Sequence, residues 1–374
     1  MRPVVFVGLR PGALDAAERL GLEVVAVVER RPAGLAARCA RVLEVDFARR
    51  DWGEIADALE AEPAAVVALT ERSVVPSALL RAALGLPGLP PEAARHCSDK
   101  RAMKRAVRAA GLPCARFVDG EEGLGAEAIV AALGLPLVLK SAVGSGSRGT
   151  RVVRSRGEMP DVLEDGWMAE AFVDGVEMSV ESFVLEDETV WTNPTQYLEP
   201  AWANVVPAPL ATSMREELAA FSDAARRALG VTSGMTHLEV FLTERGPVFG
   251  ELAARPPGGH IMPLIRHAYG VDPWEAVLRV ALGDGPGLPA QPARVAASRI
   301  LHPGPGTVLE ADLGEASSMP GVQAASLRVR PGGTVETREG TGQEVGHIIV
   351  TGETALEAES RLEIAAREVR LEVG

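Results

Sequence analysis

Two glutamates, Glu239 and Glu251, lie on apolar alternating runs, Thr236–Leu242 and Val248–Leu252, separated by a five-residue segment that contains Gly246-Pro247. Two such runs around a short Gly/Pro turn predict a β-hairpin. Pairing Leu242 with Val248 sets Glu239 opposite Glu251, on the face that also carries His237, Phe241 and Phe249. Cross-strand neighbours sit about 5 Å apart, where like charges repel unless a cation lies between them. Mg²⁺ suits such a pair, because it takes one or two carboxylates and completes its shell with water and phosphate oxygens. Arg255 and the pair Gly258-Gly259 follow, ahead of an apolar run of helical pattern, so a guanidinium and free backbone N–H groups come close behind. The same residues also fit an exposed hairpin with solvated glutamates, and the rest of the chain decides between the two.

Of 38 basic residues only three are lysine: Lys100, Lys104 and Lys140. A compact ammonium fits against a phosphate where a planar guanidinium fork does not, so lysines kept in an arginine-rich chain are candidates for such contacts, with chance retention as the plain alternative. Leu135–Lys140 reads as a strand ending in one of them. Gly144-Ser145-Gly146-Ser147-Arg148-Gly149 follows and matches G-x-G-x-x-G, but Thr150–Arg154 beyond it has the pattern of a strand, not a helix. That context fails the dinucleotide fingerprint, and no Walker lysine follows Gly149. Strand, glycine loop and strand can instead form a flap that lays backbone N–H groups over phosphates, or a flexible hairpin tip.

These groups need a frame. Val4–Val7, Gly12–Leu20, Val24–Val28, Trp52–Ala61 and Ala65–Leu69 alternate between strand and helix, which predicts a Rossmann-like parallel sheet over 1–95, with Gly85–Pro91 as boundary. The turn after the first strand lacks dinucleotide spacing, so this domain reads as structural or substrate-facing. Ser98-Asp99-Lys100 opens a helix to about Ala110. Trp167–Glu181 reads as strand, turn and strand, and 191–209, with both asparagines of the chain, as a long irregular loop of functional type. Ser213–Gly230 is an amphipathic helix, and Asp272-Pro273-Trp274-Glu275 a capping box starting a helix to about Gly283. Residues 284–297 read as a linker. Short strands at Ser298–Leu301, Ala325–Val329, Thr334–Thr337 and Gly346–Thr351, then a helix at Ala355–Arg367, predict a small α+β domain over 290–374.

A net charge of −13 argues against nucleic acid and anionic membrane as partners. No apolar run approaches the roughly 20 residues of a membrane span, and the apolar start is too brief for a signal peptide. Three cysteines without paired spacing predict a reduced, cytoplasmic setting.

At this point residues 96–283 resemble the ATP-grasp superfamily, and within it carboxylate–amine ligases and biotin carboxylase-like enzymes; the last domain resembles that of L-amino-acid ligases. The resemblance implies a mixed α/β and α+β fold with a Rossmann-like N-terminal domain, an ATP-grasp domain over 96–285 with a lid at about 113–172, and the small C-terminal domain. It implies ATP and Mg²⁺ as cofactors, with Lys100 and Lys140 on phosphates, the loop Gly144, Ser145, Gly146 and Gly149 above them, Glu170, Ala171, Phe172 and Val173 at the adenine hinge, and Glu177 on the ribose. Glu239 and Glu251 would be the metal ligands. The family's usual asparagine two residues past the second acid is Ala253 here, which leaves a second Mg²⁺ open. The implied reaction joins a small-molecule carboxylate to an amine, amino acids among them, through an acyl phosphate. Arg255 and Lys140 would stabilise its charge. His237 would orient Glu239 or a phosphate, and His260 either touches substrate or merely starts a helix. Transfer to a thiol or carrier-bound acceptor, a nucleotide-binding module without turnover, and a homodimer through an end domain remain compatible.

Overall fold

The computed structural model describes residues 2–49, 51–146, 149–340 and 342–374. The chain opens with β1 (Val4–Val7), α1 (Pro11–Arg19), β2 (Val24–Val28), β3 (Arg41–Glu44), α2 (Gly53–Asp57), β4 (Ala65–Ala68), α3 (Val74–Leu84) and α4 (Pro91–His96). Its four strands form a parallel sheet in the order β3-β2-β1-β4. β1 and β2 are wholly buried Val/Ala/Phe runs, as a sheet covered on both faces demands. β3 escapes a sequence reading because Arg-Val-Leu-Glu is a half-exposed edge without a continuous apolar run. The helix expected at Trp52–Ala61 shrinks to the single turn of α2.

α5 (Lys100–Ala109) is capped by the Asp99 carboxylate, which accepts from the N–H of Arg101 at 2.9 Å. Its buried positions are Lys100, Met103, Lys104 and Val107, so two lysines one turn apart share the inward face. A four-stranded antiparallel sheet follows, ordered β5-β8-β6-β7 from β5 (Phe117–Asp119), β6 (Leu137–Ser141), β7 (Arg151–Val153) and β8 (Trp167–Ala171), packed on α6 (Ala126–Leu133). The glycine loop does join two antiparallel strands, β6 and β7; Ser147 and Arg148 within it lie outside the described residues.

The largest sheet has eight strands: β9 (Val176–Leu185), β10 (Glu188–Glu199), β11 (Ala203–Val206), then, after α7 (Thr212–Ala228), β12 (Gly234–Thr243) and β13 (Gly246–Ala253). Its order is β13-β12-β9-β10-β11-β14-β18-β16, so β14 (Val295–Leu301), β16 (Val322–Leu327) and β18 (Gly346–Gly352) of the C-terminal segment continue it. Of the four strands expected for the small α+β domain, only the one at Thr334–Thr337 falls in a separate sheet, made of β15 (Gly306–Asp312), β17 (Thr334–Val335) and β19 (Arg370–Val373). α8 (Ile261–Tyr269), α9 (Pro273–Ala281) and α10 (Ala355–Glu368) cover the large sheet. The expected linker 284–297 ends inside β14, and the expected loop 191–209 is mostly β10 and β11.

α1 lies against α9, where Arg19 bonds Glu275 at 2.6 Å and also Asp272. The two helices come so close that a Cβ on Gly12 would fall 2.4 Å from the Trp274 indole nitrogen. Thus the parallel-sheet domain is fixed onto the elements that carry the site.

Candidate functional site

Three strands of the large sheet present one polar face, which alternation along each strand dictates. On β9 the sequence Glu177-Met178-Ser179-Val180-Glu181 sends the apolar residues into the core and the polar ones the other way. The ladder then aligns Glu177 with Phe241, Ser179 with Glu239 and Glu251, and Glu181 with His237 and Ala253. The facing glutamates are thus present, although the hairpin reaches them differently. The turn is tighter than expected, with Thr243 opposite Gly246 and Phe241 opposite Val248, and a bulge at Gly250 restores the register before Glu251. That extra residue turns Phe249 to the opposite face, where it is fully buried against Val240, instead of the glutamate face.

Gly250 is required there. A Cβ on it would fall 2.8 Å from the Glu239 carbonyl oxygen, a backbone atom that cannot turn aside. Gly250→Ala is expected to cost about 1–3 kcal/mol of stability, as overpacking does, and to misalign the acidic pair. Denaturant unfolding and metal-dependent nucleotide binding measured on one preparation check both effects.

The lysines close around this face. Lys100 Nζ lies 3.3 Å from Glu251 Oε1 and donates to the Gly144 carbonyl at 2.8 Å, which ties α5 to the glycine loop. Lys140, near the end of β6, sits 2.8 Å from Glu170 Oε1, while Lys104 approaches the other oxygen at 3.2 Å. The ladder sets Glu170 opposite Val138, making Lys140 its diagonal neighbour on the same face. Burial pushes the Glu170 pKa up, but the two ammonium groups outweigh it and hold the carboxyl below its ordinary value. Burial likewise opposes the charge on Lys140, and Glu170 with the more distant Glu251 raises its pKa overall.

The acidic pair divides its charge unevenly. Burial and the neighbouring Glu239 raise the Glu251 pKa against the pull of Lys100. Glu239 is burdened by burial too, yet His237 and the lysines lower it; its side chain remains 40% exposed, facing the cavity it lines. Glu177 is pushed up to about 7 by burial and by Glu239. His237 loses by burial and gains more from Glu181 and Glu239, which raise it to about 9. Its Nδ1 hydrogen-bonds Glu181 at 2.9 Å, whereas Nε2 is 3.8 Å from Glu239, an ionic contact too long for a hydrogen bond.

Glu181 escapes a search for exposed chemistry because it is fully buried. It accepts from Ser179 at 2.7 Å, Thr195 at 2.6 Å and Asn193 at 3.2 Å, and Tyr269 donates to the Asn193 side chain at 2.9 Å. The polarity of 191–209 thus serves a buried charge rather than solvent. Period-two alternation on β9 carried the signal for Glu181; Lys104 carried one as the third lysine.

These groups line a cavity of about 570 Å³, of the size small-molecule sites have. Lys100, Lys140, Gly144, Ser145, Gly146, Glu170, Ala171, Phe172, Val173, Glu177, His237, Glu239, Glu251 and Arg255 all border it. Gly149 does not, and a Cβ on it would fall 3.2 Å from the Trp167 ring. Arg255 reaches back to the parallel-sheet domain, its Nε 2.7 Å from Glu71, a partner that sequence offered no means of finding. His260 stands outside the cavity lining, in left-handed backbone (φ +61°) before α8. Its ring stacks on His347 at 4.3 Å and its Nε2 is 3.4 Å from Glu344.

Glu344 is held down to about 2 by His260, against a smaller cost of burial, with Arg328 helping. A depressed carboxyl stabilises the fold fully above its unfolded pKa and loses that contribution as pH falls through the folded value. Glu344→Gln is therefore expected to be less stable than the parent at neutral pH, with the gap closing between about pH 4.5 and about pH 2. Chemical denaturation at a series of pH values checks this.

Among the described residues no group of three or more His, Cys, Asp or Glu side chains is arranged to hold a metal unaided. Two carboxylates facing each other at a cavity wall do fit a hard cation that draws its other ligands from water and phosphate oxygens.

Residues 105–262 match the ATP-grasp domain, and 299–374 match L-amino acid ligase C-terminal domain 2. The uncharacterised protein y4rH of Sinorhizobium fredii is 30% identical over 302 residues, covering 76% of this chain and 63% of that protein. The L-arginine-specific L-amino acid ligase of Bacillus subtilis is 24% identical over 246 residues, 61% of this chain and 60% of the relative. This chain thus spans less than two thirds of either relative's length. An L-amino acid ligase structure from Bacillus licheniformis superposes with a TM-score of 0.81 at 22% identity, over 100% of this chain and 99% of that one. N5-carboxyaminoimidazole ribonucleotide synthetase from Thermotoga maritima gives 0.78 at 17% identity, over 100% of both chains. No helix among the described residues is long and apolar enough to cross a membrane.

Proposed function

We propose, starting from a chain that carries an ATP-grasp domain and an L-amino acid ligase C-terminal domain 2, that this protein is an ATP-dependent carboxylate–amine ligase. The observation that supports it is the alignment of Glu239 with Glu251 on the wall of a cavity that Lys100 and Lys140 also line.

In this reading Glu239 and Glu251 hold Mg²⁺, which when bound supplies charge neutralisation for the nucleotide phosphates. Phe172 and Val173 border the base, and Glu177 accepts from the ribose. A substrate carboxylate oxygen attacks the γ-phosphorus while the bond to the β–γ bridging oxygen breaks, giving an acyl phosphate and ADP. Lys100 and Lys140 leave their glutamate partners to meet the phosphates, and the N–H groups of the glycine loop add donors where negative charge develops. The lone pair of an amine then attacks the acyl carbon, phosphate departs, and the amine sheds a proton. Arg255 is placed to hold the departing phosphate and the tetrahedral oxyanion. Amino acids fit best as the substrate pair, given the C-terminal domain and the B. subtilis relative.

His260, turned toward Glu344 and His347, acts through the loop it anchors rather than on the reacting atoms. A nucleotide-binding module without turnover is the second reading, favoured by Ala253, which offers no side-chain oxygen beside Glu251. ADP release measured against single and paired amino acids separates them. Release that needs both an amino acid and Mg²⁺ supports the ligase; nucleotide binding without release under any pairing supports the module.

A further inference from the structure

A second, smaller cavity of about 70 Å³ lies where β4, α3, the start of β12 and α9 meet, behind the Arg255 segment. Arg81 and Arg255 are its charged lining residues, and no acidic side chain borders it. Arg255 already has Glu71, whereas Arg81 is 9% exposed and its side chain makes one hydrogen bond among the described residues, to the Val66 carbonyl at 2.6 Å. Its Nε is buried without a partner among the described residues.

Burial alone draws the Arg81 pKa down, to about 10, with no carboxylate to offset it, so the guanidinium keeps its charge at neutral pH. A buried charge without a counter-charge is strongly unfavourable, and native proteins place a partner beside it. The surroundings hold the side chain where it is. A Cβ on Gly88 would fall 2.9 Å from Arg81 Cδ, so the Pro87-Gly88-Leu89 turn is shaped around the arginine. Met235, Val277 and Ala281 supply apolar walls, which would strengthen any ionic contact inside.

We infer that this cavity is a binding site for one small monovalent anion, seated on the Arg81 guanidinium between the parallel-sheet domain and the large sheet. At about 70 Å³ it admits chloride or a one-carbon carboxylate. The anion neutralises Arg81 and lies beside Arg255, so its occupancy steadies the junction that positions Arg255 at the main cavity. The site shares Arg255 with the main cavity, and its test needs no turnover.

Thermal unfolding of the full chain in sodium chloride, sodium formate and sodium gluconate at equal ionic strength reads it. The transition is expected about 2–4 °C higher in chloride, formate or both than in gluconate, a far bulkier anion. Chloride and formate compared singly tell the halide from the carboxylate source. The difference should vanish in Arg81→Gln and in Ala281→Leu; the latter keeps the arginine and fills the space, should the former fail to fold. Crystals grown in sodium bromide should carry an anomalous peak at Arg81. Superimposable transitions in all three salts, a shift that survives both variants, or density for ordered water only would overturn the proposal.

Discussion

Glu251→Gln is expected to lower the turnover number for amino-acid-dependent ADP release by about 10²–10³-fold, the range seen when one group that stabilises transition-state charge is removed, while stability changes by no more than about 1 kcal/mol. Glutamine keeps the size of the side chain. Removing the charge takes away the repulsion with Glu239 and also the ion pair with Lys100 at 3.3 Å, although Lys100 retains its bond to the Gly144 carbonyl at 2.8 Å. These two effects on the fold oppose each other. For the reaction they do not, because the missing carboxylate is one of two that hold the cation. Activity lost with stability kept is the pattern of a residue serving chemistry at the expense of the resting protein. Steady-state kinetics and denaturant unfolding on the same sample check it, and an equal fall in both would assign Glu251 to the fold.

The larger stability effect belongs to Glu181→Leu. Four donors converge on this fully buried carboxylate: Ser179, Thr195, Asn193 and His237. Leucine removes the acceptor of all four, although Asn193 keeps a bond to Thr195 Oγ1 at 3.1 Å, and it leaves His237 without its closest counter-charge, a loss of about 3–5 kcal/mol by the measure of broken buried pairs. The effect also carries a pH signature. With its folded pKa raised to about 9, His237 lends stability that is fully present below about pH 6.5 and is lost as pH rises through about 9. The parent should therefore weaken over that interval, and Glu181→Leu should show no such decline. Denaturant unfolding between pH 6 and pH 9.5 tests the stability claim, and an NMR titration of His237 in both proteins tests its cause.

Much of the site was legible because alternation along a strand is a strict rule. Glu239 and Glu251 needed only two apolar runs and a turn, and Lys100 and Lys140 stood out by residue type. The bulge was not legible: Gly250 becomes necessary only when its missing Cβ is measured against the Glu239 carbonyl. That one residue put Phe249 on the wrong face. The stretch 191–209 misled because amides and threonine signal solvent or a binding loop, whereas Asn193 and Thr195 face a carboxylate buried in the sheet. Lys104 was marked by residue type like the other two lysines, and alternation along the strand that holds Glu177 marks Glu181. Glu71 could not be found so, since only the docking of one domain on another brings it to Arg255. The C-terminal strands paired into the large sheet for a similar reason: strand partners distant in sequence leave no local mark.

The account centres on a cation carried between Glu239 and Glu251, and calorimetric titration of ATP into the parent and the double variant Glu239→Gln/Glu251→Gln, with and without Mg²⁺, tests it most directly. The parent should bind ATP at least tenfold more tightly with Mg²⁺ than without, roughly the 1.4 kcal/mol that a tenfold ratio represents, and the double variant should show no such gain. Equal Mg²⁺-dependent affinity in the two proteins would contradict the assignment of these carboxylates and, with it, the ligase reading.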